Sequence, residues 1–197
     1  MSQIFDEKGR VVPVTLVKVL PNIVLGVKNK DKDGYAALQL GMGEKREKNM
    51  AKPQRVYMKD LPLARFVREF RFSGGEDIKN QRGDKIDVSI FVEGDLVKVS
   101  GISKAKGFQG VVKRYNFRGA PATHGTKHAH RQPGSLGGGG RAGGRVAKGM
   151  RMAGRMGGER VTTRNLKIVK IDADSKFIAI KGAIPGRKGT LLEIRSL

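Results

Sequence analysis

The sequence has no cysteine and no tryptophan, and only 8 Phe and 3 Tyr among 197 residues. Without cysteine there is no disulfide framework and no thiolate metal site. No run approaches the roughly 18 uninterrupted apolar residues of a membrane-crossing helix. No long basic amphipathic helix is visible that would lie on a lipid surface. The start shows no signal-peptide pattern of basic residues, apolar run and small-residue cleavage site. An intracellular, soluble protein is therefore expected. The most local absence is of acid: residues 96–158 contain no Asp and no Glu, although 18 carboxylates occur elsewhere. A water-facing surface normally mixes both signs of charge to limit self-repulsion.

What is present is basic. The net charge is +22 and the pI about 10.6. The acid-free window of 63 residues holds 13 Lys and Arg and all three His. Its cation density does not exceed that of the other 134 residues, which carry the remaining 27 Lys and Arg and every carboxylate. The window is thus distinguished by the missing negative sign. Such a stretch is complementary to a phosphate backbone, whose charge density sets the electrostatic part of nucleic-acid affinity. The composition points to nucleic acid first and an anionic membrane second.

The length suits one domain with an appendage, or two small domains. Residues 11–19, rich in β-branched side chains and with an early Pro13, read as a strand. Residues 23–27 read as a second strand and 35–40 as its partner across the Lys32-Asp33-Gly34 turn. Residues 41–51 read as a charged loop. Residues 52–68 hold one helix or two short ones, with Pro53 and Pro62 at first-turn positions. A short strand follows at 68–72. Leu96-Val97-Lys98-Val99 begins another strand. Residues 161–171 and 177–181 flank a hairpin turn at 172–175, and Leu191-Leu192-Glu193-Ile194 closes the chain as a strand. Short strands at close spacing suggest a small barrel rather than a βαβ sheet. Residues 119–158 fit neither pattern: 13 of the 40 are Gly and none is aromatic. Such a segment buries too little apolar surface to offset its ordering entropy. It is expected to project as a looped arm, and at ~3.3 Å per extended residue, half out and half back, to reach at most roughly 65 Å.

The stretch 101–114 reads as strand, glycine turn, basic residues and strand. That arrangement either places backbone amides and Lys beside phosphate or makes an ordinary basic turn on a barrel; residues 180–190 repeat it faintly. Tyr115 and Phe117 are placed either to stack on bases or to pack at a hinge. His124, His128 and His130 suggest a metal, but zinc wants a fourth ligand, usually Cys or carboxylate, and neither is near. Imidazoles hydrogen-bonding to RNA are the better reading. Gly138-x-Gly140-x-x-Gly143 matches a dinucleotide fingerprint only formally, because no strand precedes it and no acidic residue follows in a βαβ unit. The Lys-Ser/Thr pair of a P-loop is missing. Ser135 has no carboxylate nearby to orient a histidine base. No catalytic constellation emerges, and an enzyme is not expected.

Several blocks taken together resemble a known family. They are Gly107-Phe108-Gln109-Gly110-Val111-Val112-Lys113-Arg114-Tyr115-Asn116-Phe117, Thr123-His124-Gly125, His130-Arg131-x-Pro133-Gly134-Ser135-Leu136-Gly137, Lys148-Gly149-Met150 and Met152-Ala153-Gly154-Arg155-Met156-Gly157. In order and spacing they resemble bacterial large-subunit ribosomal protein L-three, over nearly the whole chain. The resemblance implies a mainly β fold: a translation-protein β-barrel with a small α+β insertion, carrying a long glycine-rich basic extension. Its parts would be 1–115 (first part of the barrel, insertion at about 29–84), 116–159 (arm) and 160–197 (final strands). It implies a cytoplasmic, ribosomal protein that binds large-subunit ribosomal RNA, helps nucleate subunit assembly, and extends its arm toward the peptidyl transferase centre. Neighbouring proteins such as L-fourteen and L-nineteen would be partners. A ribosome assembly factor or RNA chaperone is the alternative.

Carried over by motif, the arm residues His124, Lys127, His128, His130, Arg131, Arg141, Arg145, Lys148, Arg151 and Arg155 would contact RNA. Lys104, Lys106, Lys113, Arg114 and Arg118 would do so at its base. No cofactor is implied, and any Mg ions would be held by the RNA. Family members usually carry a longer start, which implies that part of a first strand is missing before Met1. A methylatable Gln found in some members falls near Gly138, so that modification is not expected, and Tyr115 replaces a common Trp.

Overall fold

The computed structural model describes residues 1–72, 78–138 and 143–197. In chain order the elements are β1 (Ser2–Phe5), β2 (Val11–Lys18), β3 (Asn22–Lys28), α1 (Lys30–Asp33), β4 (Ala37–Glu44), α2 (Lys52–Tyr57), β5 (Ala64–Arg71) and β6 (Lys85–Ile86). They continue with β7 (Leu96–Ile102), β8 (Phe108–Gln109), α3 (Val111–Tyr115), β9 (Gly154–Arg155), β10 (Arg160–Asp172), β11 (Phe177–Lys181) and β12 (Leu192–Ser196). The fold is mainly β, as expected. Six strands form one sheet in the order β1-β2-β11-β10-β7-β12, four form a second in the order β5-β4-β3-β6, and β8 with β9 makes a two-stranded ribbon. Among the described residues the six-stranded sheet stays open, where a closed barrel was expected. Closure requires the two outermost strands to pair with each other. Here β1 hydrogen-bonds only to β2, and β12 only to β7.

The chain divides into two compact units: Met1–Val97, Asn165–Ala183 and Ser196–Leu197 in the first, Lys98–Arg164 and Ile184–Arg195 in the second. In the first unit, β11 lies antiparallel to β2 from Phe177↔Lys18 to Lys181↔Val14. Pro13, which has no N–H to give, falls just beyond that last pair, and its carbonyl accepts the Gly182 N–H at 2.9 Å. Val14, Val97, Ile168, Ile178 and Ile180 are fully buried. The β10–β11 turn is closed by the Asp172 carboxylate, which accepts the Ser175 N–H at 2.9 Å. That bond holds the Asp172 carboxyl below its ordinary pKa.

The second sheet depends on an irregularity. The β3–β4 register shifts between Val24 and Gly26. A bulge there lets two consecutive residues, Val24 and Leu25, both be fully buried, which strict alternation forbids. Leu25 packs with Met50, Met58 and Ala64, bordered by Leu61, Leu63 and Val67. Helix α2 starts after the extended Ala51 with Pro53 in its first turn, and it delivers Tyr57. The Tyr57 hydroxyl donates to the Leu25 carbonyl at 3.1 Å. A Cβ on Gly26 would collide with that hydroxyl.

Three expectations are corrected. Strand β4 runs on through Glu44 into the expected loop. Pro62 starts no helix, because β5 begins at Ala64 and pairs with β4 from Ala64↔Glu44 to Arg71↔Ala37. Val111–Tyr115 is a short helix rather than a strand. The reason is local: Gly110 is extended at its start, Asn116 adopts the left-handed conformation at its end, and the Arg114 N–H donates to the Gly110 carbonyl at 3.0 Å.

Leu25→Ala is expected to lower unfolding free energy by about 2–5 kcal/mol. Val56→Ala, on an exposed side chain of α2, should change it by less than about 0.5 kcal/mol. Urea unfolding of the full chain checks both.

Candidate nucleic-acid interface

Charge is segregated between the two compact units. The second unit contains 18 Lys and Arg and only 2 carboxylates, Glu159 and Glu193; the first contains 22 and 16. Glu193 is already engaged. Arg160 donates through Nη1 and Nη2 to its two carboxylate oxygens at 2.9 and 2.5 Å. That fork raises the Arg160 pKa above its ordinary value.

Within this unit the two chain segments that flank the glycine-rich stretch are zipped together by their backbones. The Ser103 N–H donates to the Glu159 carbonyl (2.9 Å), and the Gly158 N–H donates to the Ser103 carbonyl (3.3 Å). The Lys106 N–H donates to Met156 (2.9 Å), and the Met156 N–H donates to Gly107 (3.0 Å). The register continues as Phe108↔Arg155 and Gln109↔Gly154. Glycine is required at Gly157: its φ is +73°, and a Cβ would run into the Lys104 backbone carbonyl.

Arg114 locks this base from the side. Its Nη1 donates to the Met152 carbonyl at 2.7 Å, and its guanidinium lies 5.0 Å from the Tyr115 ring centroid. Arg151 lies 5.8 Å from the same centroid. Gly154 leaves the room: a Cβ there would sit 2.5 Å from Arg114 Nη1. Tyr115 and Phe117 are in tilted contact, with centroids 6.2 Å apart. Both are half-buried, so they pack beside the zipped base rather than standing free.

Of the fifteen residues singled out from the sequence, Arg141 lies outside the described residues. Arg114 is half-buried and internally bonded. Lys104, Lys106, Lys113, Arg118, His124, Lys127, His128, His130, Arg131, Arg145, Lys148, Arg151 and Arg155 are all exposed. His124 and Lys127 have φ of 59° and 50° in the loop before a 3-10 turn at Ala129–Arg131. The Ala120 N–H closes that loop on the His130 carbonyl at 3.1 Å. Among the described residues no cluster of His, Asp or Glu is arranged to hold a metal, and no helix is long and apolar enough to cross a membrane.

Sequence reasoning missed Arg160, Arg164, Arg187, Lys188 and Arg195, which the fold gathers into the same basic unit. They lie outside the acid-free window, so the window's edges hid them. It also missed the structural role of Arg114. No local pattern identifies a carbonyl 38 residues away as the partner of a guanidinium.

A surface of this kind, with many exposed cations and almost no carboxylate, can neutralise a polyanion. Comparison with known proteins agrees with that character. The family model described as "Ribosomal protein L3" matches residues 75–177. The chain is 47% identical over 196 residues to the large ribosomal subunit protein uL3 of Herpetosiphon aurantiacus, covering 98% of this chain and 91% of that protein. It is 46% identical to uL3 of Synechococcus sp. strain CC9902, covering 99% and 88%. It is 44% identical to uL3 of Pseudomonas syringae pv. tomato, covering 99% and 92%.

Two glycine substitutions separate backbone strain from steric need. Gly149 has φ +85° with open space around it, whereas Gly157 combines φ +73° with the Lys104 carbonyl. Gly149→Ala should cost about 1–2 kcal/mol. Gly157→Ala should cost more, and should speed hydrogen exchange at the Lys106 and Met156 amides by at least tenfold. Exchange measured by NMR or mass spectrometry on the full chain checks this.

Proposed function

The chain belongs to the Ribosomal protein L3 family, and from that premise we propose that it is a structural constituent of the large ribosomal subunit, bound to large-subunit ribosomal RNA. The observation that carries the reading is the charge of the second unit, 18 cations against 2 carboxylates. Phosphates supply the opposite sign, and Lys and Arg that replace condensed counterions gain affinity from their release. The exposed candidates from Lys104 to Arg155 make the RNA contacts. Arg114 acts indirectly by holding the base on which they stand.

In this reading residues 116–159 form an arm that fills space between packed RNA helices and reaches toward the peptidyl transferase centre. Its glycines admit backbone where a side chain would clash, and RNA supplies the surface on which it orders. Binding early to the RNA, the protein helps nucleate subunit assembly. L-fourteen and L-nineteen are its neighbours, and the site is the cytoplasmic ribosome. Bound Mg ions belong to the RNA, and the protein is not an enzyme.

With about six phosphate contacts, affinity for large-subunit ribosomal RNA should fall on the order of a thousandfold between 50 and 200 mM salt. Replacing residues 120–149 with a short linker leaves the zipped base intact. It should flatten the salt dependence and give large subunits defective in assembly or peptide-bond formation. Filter binding and sucrose-gradient sedimentation read the two effects. Normal subunits from the deletion variant would overturn the role of the arm, and equally tight binding to duplex DNA would overturn the choice of RNA.

A further inference from the structure

Phe108 is 73% exposed. An exposed phenyl ring forgoes the roughly 1.5–3 kcal/mol that burial would supply, so its setting matters. It stands on the two-stranded ribbon directly opposite Arg155. In an antiparallel pair the two side chains leave the same face, with Cβ atoms about 4.5–5.5 Å apart. Lys104, Lys106 and Lys113, close in sequence, are exposed as well. No carboxylate occurs between positions 96 and 158.

Exposure alone does not make a site, and a second aromatic shows the contrast. Phe5 is 64% exposed, but Asp6 and Glu7 follow it directly. A phosphate approaching Phe5 meets a charge-mixed turn in which Asp6 is paired with Arg10, whereas one approaching Phe108 meets Arg155 with no carboxylate nearby in sequence. The two aromatics expected to stack, Tyr115 and Phe117, are half-buried against each other and against Arg114. Among the described aromatic side chains Phe108 is the most exposed, and it is free to receive a base. The ribbon beneath it is held by backbone hydrogen bonds at 2.9 and 3.0 Å, so its position is fixed before any ligand arrives.

We propose that Phe108 is a stacking platform for one unpaired base of the ribosomal RNA, with Arg155 beside it on that nucleotide's phosphate. The proposal rests on the RNA-binding reading above. Base–aromatic stacking tolerates any base, because every base has a π-face. Phe108 therefore anchors a looped-out or single-stranded nucleotide rather than selecting a sequence.

The chain has no Trp, so Phe108→Trp installs a single indole whose fluorescence reports stacking. Protein-free large-subunit ribosomal RNA is titrated into the full chain carrying Phe108→Trp, and separately into Phe5→Trp. Filter binding runs in parallel with the unsubstituted chain. Quenching at 108 but not at 5 is expected. Phe108→Leu, which keeps apolar area without a π-face, should lose about tenfold in affinity at fixed salt. Binding without quenching at 108, or Phe108→Leu binding as tightly as the unsubstituted chain, overturns the proposal and leaves the RNA reading standing. The first of those results would instead assign the ring to a protein neighbour. Failure of the unsubstituted chain to bind the RNA overturns both.

Discussion

Like-charge repulsion is the constraint under which the second compact unit is built. Two cations about 10 Å apart in water repel by roughly 0.4 kcal/mol, reduced further by salt with a Debye length near 8 Å. Eighteen of them stay tolerable only while they remain solvated, and the ten exposed Lys and Arg among the candidates do so. The same cation moved into a low-dielectric interior needs a partner. At the pair Arg160–Glu193 the mostly buried member is the carboxylate, 10% exposed, and the 52% exposed Arg160 neutralises it. Arg114 takes a carbonyl and an aromatic face instead, which anchors it without spending a carboxylate. The unit thus keeps its surface positive while its half-buried guanidinium is satisfied by neutral groups. Placing a polyanion against that surface turns the unfavourable sum into a favourable one, which is the physical content of the proposed function.

The same constraint accounts for a base of the glycine-rich segment held by backbone bonds and by one guanidinium–carbonyl bond from Arg114, with no ion pair among the described residues taking part. A ladder closed by Lys–Glu pairs would put carboxylates where the proposed function places phosphate. Amide–carbonyl bonds carry no net charge. They need the two segments close, which is what Gly157 and Gly154 permit, one against the Lys104 carbonyl and the other against the Arg114 guanidinium. Glycine and the absence of acid are therefore one feature of this region.

Much of the sheet was legible because its signals are local. Strand β11 falls at 177–181 and the turn at 172–175 as read, since β-branched runs bounded by Asp and Ser leave little choice. Strand β2 ends one residue short of its expected end. What was not legible depends on partners distant in sequence. Residues 64–67 were expected to belong to the helical stretch 52–68, but pairing along β4 makes them part of a strand. The two valines at 111 and 112 favour extended backbone, and the caps at Gly110 and Asn116 outweigh that preference. Whether the sheet closes depends on its two outermost strands, β1 and β12, and no local window contains both. In the candidate interface, charge and spacing marked which residues are cationic. Only the fold separated Arg114, turned inward, from its exposed neighbours Lys113 and Arg118.

The zipped base also sets how the segment beyond it can bind. Holding together the ends of a loop of 44 residues, from Gly110 to Ala153, costs on the order of 3 kcal/mol in chain entropy. Four backbone hydrogen bonds between 103–107 and 156–159, with the Arg114 bond to Met152, each contribute about 0.5–1.5 kcal/mol net. The two magnitudes are comparable, so closure is met within the protein and need not be drawn from binding energy. In the proposed reading the RNA meets a base whose backbone is already held by this ladder. Loosening the ladder would return the closure cost to the binding step and weaken association without removing any contact to the partner. In the proposed reading Gly157, which only permits the ladder to close, can therefore matter to affinity as much as an exposed arginine.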